Sequence, residues 1–345
     1  MSQITEKLPA SQLAGATISP QVSIVVTAYN NADTIAEAIA SLGSQSYTRK
    51  HLLVVVDQSS SDETEVVVDK ECALLEGCSV IKCRGVGRSK ARNIGWMHAS
   101  SPVVMFADGD DVYDHQYLAK AVGALFANTA VGGVCLGGAP LPTGKKLLDD
   151  FYRAYGTADD RVKSGQQPEW AWVYKMECLK ATGGFDENLS QAEDKDFCTR
   201  VKQAGFTIAY VPGVNWYRRK AQTFTKFISK EYLAGRRRVF YYAKKKVYRP
   251  IARGLAPAAV GAFLVGIGAI AGPIAASLAT LLALLIFLIA SAANAKGSFG
   301  SPRSIFRYSL MAVSARLAFC AGTLYGLSAL LARTMGLTRI DSGRF

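Results

Sequence analysis

The chain has 345 residues, a formal net charge of +13 and a hydrophobic fraction of 50%. The apolar residues and the basic excess are unevenly spread, which argues against both a single ordinary globular domain and a purely membrane-embedded protein. The seven cysteines match no zinc or haem spacing, so reduced thiols are expected, and the polar stretch Met1 to Gln21 lacks the basic start and apolar run of a secretory signal.

From Val22 onward, short β-branched runs alternate with helix-like segments, the pattern of parallel strands joined by crossover helices in an α/β fold. Val22 to Thr27 reads as the first strand. A helix follows from Asn31 or Asp33, with Ile35, Ala38, Ile39 and Leu42 on one face. Leu52 to Val56 is an unbroken apolar run suited to burial on both faces. Asp62 to Leu75 predicts a helix, Val80 to Lys82 a short strand, Ser89 to Ala99 another helix, and Val103 to Ala107 a fourth buried strand. Ligands of such sheets bind at the carboxyl ends of the strands, and three of those ends are polar here: Thr27 to Asn31, Asp57 to Asp62, and Asp108 to Asp111.

The character changes after Val211. Trp216 to Arg253 is basic with interleaved aromatics, and Phe224, Phe227, Ile228 and Tyr232 recur at helical spacing, as suits a membrane interface. A nucleic-acid patch has similar composition. The uncharged runs Gly254 to Gly272 and Ile274 to Ala293, each close to a bilayer-crossing length and parted only by Pro273, favour the membrane over nucleic acid. Tyr308 to Ala332 is a third apolar segment. Arg316 interrupts it, so it reads either as a span with Arg316 buried against protein or as a helix along the interface. The basic flanks favour a cytosolic location on both sides of it, which argues against a third crossing. The expected organisation is therefore a flexible stretch 1–21, a catalytic domain 22–215, a basic amphipathic segment 216–253, a hairpin 254–293, a cytosolic loop 294–307, a transmembrane or interfacial helix 308–332 and a tail 333–345. That makes a multi-pass membrane protein with its catalytic domain facing the cytoplasm.

Two acidic motifs carry the chemistry. Asp108 and Asp110, separated by Gly109 at the end of a rigid strand, offer hard oxygen ligands to a divalent cation, Mn2+ or Mg2+, that can bridge a diphosphate. Acidic turns also occur without metals. Glu193 and Asp194 are adjacent carboxylates that disfavour joint ionisation, so one can keep a raised proton affinity and act as a base, although acids in the first turn of a helix capped by Ser190 would look the same.

Six ordered segments together resemble the family 2 inverting glycosyltransferases of the GT-A fold: Val25 to Asn30, Val55 to Asp57 with Ser60 to Asp62, Ala91 to Gly95, Asp108 to Asp111, Gly183 to Glu187, and Glu193 to Asp196. The resemblance covers roughly Val22 to Arg219. It implies that Thr27, Ala28, Tyr29, Asn30 and Asp57 contact the nucleobase and ribose, that the segment Arg88 to Asn93, with Arg88 and Arg92, lies against the nucleotide, that Asp108 and Asp110 hold ribose, metal and diphosphate, and that Asp194 is the catalytic base, with Glu193 beside it. The family usually has Pro where Thr27 stands, and many members have a His near Tyr217. Here the run is Trp216-Tyr217-Arg218-Arg219, and Arg218 and Arg219 are candidates to stabilise the diphosphate in its place.

The layout of basic, aromatic stretch and terminal apolar helices is similar to bacterial members that build exopolysaccharide or other lipid-linked glycans. Such a resemblance implies a UDP- or GDP-sugar donor, a lipid-linked or membrane-proximal acceptor, contact with membrane lipids and no nucleic acid, and leaves a homo-oligomer open. A phosphate acceptor, as used by polyprenyl-phosphate glycosyltransferases, needs no base. Glu193-Asp194 therefore favours a hydroxyl acceptor. A non-catalytic nucleotide-sugar-binding scaffold is the rival of a different class.

Overall fold

The computed structural model describes residues 20–154, 168, 170–189, 192–220, 223–244, 246–271, 274–275, 277–281 and 302–334. The expected flexible stretch 1–21, the second half of the hairpin, most of the loop 294–307 and the tail 333–345 lie almost wholly outside these residues.

The chain forms two units, Met1–Leu141 with Thr157–Arg219 and Ser342–Phe345, and Pro142–Gly156 with Lys220–Asp341. The first contains, in chain order, β1 (Val22–Ala28), α1 (Ile35–Gly43), β2 (Lys50–Asp57), α2 (Thr64–Ala73), β3 (Cys78–Cys83), α3 (Arg88–His98), β4 (Val103–Asp108), β5 (Asp111–Tyr113), α4 (Tyr117–Phe126), β6 (Val131–Leu136) and β7 (Ala139–Pro140). After a segment contributed to the second unit come β8 (Val173–Lys175), α6 (Met176–Thr182), α7 (Glu193–Gln203), β9 (Thr207–Val211) and β10 (Trp216–Arg218). The seven elements expected between Val22 and Ala107 are all present, with ends shifted by a few residues.

A seven-stranded sheet runs β3-β2-β1-β4-β8-β6-β9, and β5, β10 and β7 form a smaller one. Strands β3, β2, β1 and β4 are parallel, whereas β8 runs antiparallel to both β4 and β6. Alternation along the strands divides the core into two layers. Ile24, Val54 and Met105 pack with Ile35 and Ile39 of α1 on one side, while Val25, Val55 and Phe106 pack with Ala91, Phe185 and Phe197 on the other. Helix α3 lies so close to β1 that a Cβ on Gly95 would stand 2.1 Å from Val25 Cγ1. Register then sets the site, since Thr27 pairs with both Val55 and Asp108 and so brings the ends of three strands together.

Cys72 and Cys78 are disulfide-bonded, with Cα atoms 5.2 Å apart where the end of α2 turns back into β3. The expectation of reduced thiols throughout is corrected for that pair. Residues Trp216–Arg218, read from sequence as the start of the basic segment, form β10 and pair with β5, so they belong to the first unit.

The second unit contains α5 (Lys146–Ala154), α8 (Phe224–Lys244), α9 (Arg249–Ala271) and α10 (Pro302–Thr334). Leu148 and Phe151 of α5 pack with Phe227 of α8 and with Met311 and Ala315 of α10. Among the described residues one helix, Tyr308–Ala332, is long and apolar enough to cross a membrane by length and composition. The hairpin ranked ahead of it from sequence is helical through Ala271 and again at 274–275 and 277–281, while 282–293 lie outside the described residues.

Candidate active site

The acids after β4 hold their place through glycine and backbone contacts. Gly109 N–H donates to the Thr27 carbonyl at 3.2 Å, and the Thr34 hydroxyl donates to the Gly109 carbonyl at 2.8 Å. A Cβ on Gly109 would lie 2.9 Å from Ile35 Cδ1 and 3.1 Å from Asn31 Oδ1, so the residue between the two aspartates has to be small. Carboxylate oxygens of Asp108, Asp110 and Asp111 lie within 4.8 Å of one another, an all-oxygen donor set that fits a hard divalent cation. Asp111 extends the pair expected from sequence to three.

Arginines organise these acids. Arg92, only 1% exposed, donates from Nη2 to Asp108 Oδ1 at 2.8 Å and from Nη1 to Glu193 Oε1 at 3.0 Å. Its guanidinium also stands 5.3 Å from the ring centroids of Trp172 and Phe185. Arg88 reaches the same Glu193 oxygen at 3.3 Å. Arg218, paired in the β5–β10 ladder with Asp111, grips that carboxylate through Nε at 2.9 Å and Nη2 at 2.6 Å, and donates from Nη2 to Asp108 Oδ2 at 2.9 Å. It is stacked near Trp172 and Trp216, with centroids at 5.7 and 5.0 Å. Burial opposes ionisation of Asp108, yet Arg92, Arg218 and Arg88 hold it well below the ordinary carboxylate range. Arg219 turns elsewhere and pairs with Glu37 of α1.

Glu193 and Asp194 open α7. Ala192, immediately before them, has φ of +60°, a left-handed conformation uncommon for a residue with a Cβ, and sits where the chain enters the helix. Ser190, the cap expected from sequence, lies outside the described residues. The two carboxyls have separate environments. Burial pushes Glu193 up, but Arg88 and Arg92 outweigh it and keep the group below its usual range. Asp194 is raised, by burial first and by the Glu193 charge second, and its Oδ1 accepts the Lys195 N–H at 2.8 Å. Glu193 is thus committed to the arginines, and Asp194 is the member with enhanced proton affinity.

At the other strand ends, Asp57 Oδ1 accepts from Ser59 N–H, Ser59 Oγ and Gly85 N–H at 2.7–2.9 Å. Asn30, at φ of +51°, accepts the Ser61 N–H at 2.8 Å. Tyr29 is exposed beyond Ala28. The two tryptophans were missed from sequence. Trp172 lies in the bend just before the three-residue strand β8, with no recognisable motif, and Trp216 reads as part of the basic segment.

Asn93 explains why two of the motifs occur together. Its Nδ2 donates to the Phe185 carbonyl at 2.8 Å and to Glu187 Oε1 at 3.1 Å, and its Oδ1 accepts the Phe185 N–H at 2.8 Å. Gly184 has φ of +77°, and a Cβ there would lie 2.5 Å from Asn93 Oδ1. Gly184→Ala is expected to lower stability by about 2–4 kcal/mol from left-handed strain and overpacking combined, measured as the urea midpoint.

Acids gathered at the carboxyl ends of a mostly parallel sheet, among them a triplet able to hold a cation, form the arrangement expected of the GT-A fold. Residues 23–174 match the model of Glycosyl transferase family 2, and this part of the chain is a family 2 glycosyltransferase domain. Glycosyltransferase AglE of Haloferax volcanii is 22% identical over 232 residues, covering 63% of this chain and 72% of that protein. The pre-mycofactocin glycosyltransferase of Mycobacterium tuberculosis is 25% identical over 203 residues, 55% of this chain and 41% of its own length. Among solved structures, the mannosyltransferase PcManGT from Pyrobaculum calidifontis superposes with a TM-score of 0.62 at 20% identity, covering 90% of this chain and 88% of that one. The protein is a glycosyltransferase.

Proposed function

We propose that this enzyme inverts the anomeric centre as it transfers a sugar from a UDP- or GDP-sugar to a hydroxyl of a lipid-linked glycan at the cytoplasmic face of a membrane. One observation carries the reading: Arg92 bonds to Asp108 at the end of β4 and to Glu193 beside Asp194, so donor-binding acids and candidate base share one buried network. The complex of PcManGT with GDP-Man and Mn2+ supports the donor class and the metal.

In this reading Asp110, Asp108 and Asp111 would hold the divalent cation, which supplies positive charge to the diphosphate leaving group. Tyr29, Asn30 and Asp57 line the nucleoside side, with the Tyr29 ring open for stacking. Arg218, held by Asp108 and Asp111 against the Trp172 and Trp216 rings, sets its positive charge beside the diphosphate. Arg88 and Arg92 keep Glu193 ionised, whose charge maintains the proton affinity of Asp194. Asp194 then takes the proton of the acceptor hydroxyl as that oxygen attacks the anomeric carbon from the face opposite the leaving group.

The test uses the full chain in detergent with Mn2+, a panel of nucleotide sugars and a membrane lipid extract. Slow hydrolysis of one or more donors, faster turnover with extract, and loss of both in Asp110→Ala are expected. A non-catalytic scaffold would turn over no donor. Transfer to a polyprenyl phosphate that survives Asp194→Asn would favour the phosphate acceptor instead.

A further inference from the structure

The helix with the length to cross a membrane has a neighbour that cannot go with it. Helices α8 and α10 run side by side in the same direction: Phe227 packs with Met311 and Ala315, and farther along Gly235 meets Phe319, Tyr232 meets Gly322, and Arg236 meets Gly326. The backbones approach so closely that a Cβ on Gly235 would stand 2.1 Å from the Phe319 carbonyl oxygen, and one on Gly326 would stand 2.4 Å from that of Arg236. The middle of α10 is therefore flanked by the stretch of α8 that contains Lys230, Glu231, Arg236, Arg237 and Arg238. If α10 crossed the bilayer, this stretch would be carried to the hydrocarbon midplane, where charged side chains are costly. Arg316, near the centre of α10, is itself exposed.

The outer side of α10 carries the complementary feature. Leu310, Leu317, Leu324 and Leu331 recur every seventh residue and are each 46–58% exposed, forming an apolar stripe along the helix. Phe263 and Ile270 of α9 are exposed in the same unit.

We infer that α10 does not cross the membrane but lies in the plane of an anionic lipid surface, with the Leu310–Leu331 stripe immersed and the basic residues of α8 at headgroup level. Apolar stripe and flanking cations match the two components of such a surface, acyl chains and anionic headgroups. The inference rests on the membrane reading proposed above, and concerns only how this helix pair meets lipid.

The experiment uses the full chain in vesicles of phosphatidylcholine and phosphatidylglycerol, with an environment-sensitive fluorescent amino acid placed at residue 310, 317, 324, 331 or 263, one per protein. Far-UV circular dichroism confirms the fold of each. Quenching is compared for lipids carrying a nitroxide high or low on the acyl chain. In-plane binding predicts that all four α10 positions are quenched alike, and at least about twofold more by the shallow nitroxide. Deep quenching at 317 and 324 with shallow quenching at 310 and 331 would establish a crossing and overturn the inference. Quenching at 263 with none at the four α10 positions would overturn it alone. No quenching at any of the five would remove the membrane reading as well.

Discussion

Asp194→Asn should bind donor as the parent does and lose transfer by roughly 100- to 10,000-fold, the usual share of a positioned general base. The substitution preserves shape while removing the proton acceptor, so KM for the donor should change little and the loss should appear in kcat. Its pH behaviour separates the base from a merely structural carboxylate. Burial and the Glu193 charge raise the proton affinity of Asp194, so parent activity should climb as pH rises through that raised value, whereas the residue left in Asp194→Asn should not follow the same limb. Stability moves in the opposite direction. A carboxyl that binds its proton more tightly folded than unfolded weakens the fold as pH rises between the two values, so Asp194→Asn is expected to melt no lower than the parent at pH 7. Equal transfer by both proteins would remove the base assignment.

Arg92→Met is expected to destabilise the protein by about 3–5 kcal/mol, the cost of leaving buried carboxylates without their partner. Asp108 would keep Arg218 and Glu193 would keep Arg88, but each would lose its link to the other. Chemical denaturation should show the loss at neutral pH and a smaller one under acid conditions, where protonation relieves the two carboxylates. A plain packing role would give the same loss at both. Where the variant remains folded, its donor KM should rise together with a fall in kcat, because Asp108 and Glu193 are no longer held in register.

The sequence disclosed the parallel half of the fold because its strands are near-continuous apolar runs with polar ends. Val22 to Thr27, Leu52 to Val56 and Val103 to Ala107 are unmistakable in this respect, and the acids that follow them fall at the site. The mixed remainder of the strand pairing was not legible. Strand β8 has three residues, β7 has two, and β10 is embedded in a basic run whose composition points to the membrane. The motif residues were visible, but their division of labour was not. Glu193 and Asp194 differ by one methylene and one position, and only the placement of Arg88 and Arg92 fixes one as an ionised anchor and leaves the other proton-hungry. Arg92 reads as a nucleotide contact, and the bonds of its Nη2 to Asp108 and its Nη1 to Glu193 carried no signal in the sequence. Asn93 likewise carries no nucleotide signal of its own, and its bonds clamp the Phe185 loop.

Binding of Mn2+ followed by the electron paramagnetic resonance signal of the free ion, with a nucleoside diphosphate present, addresses the acids after β4 most directly. The parent should remove Mn2+ from solution in a diphosphate-dependent manner, and Asp110→Ala should weaken that uptake by at least roughly tenfold while melting at the parent's temperature. Identical Mn2+ uptake by the two proteins would contradict the assignment of these carboxylates as the site that holds the cation and, through it, the leaving group.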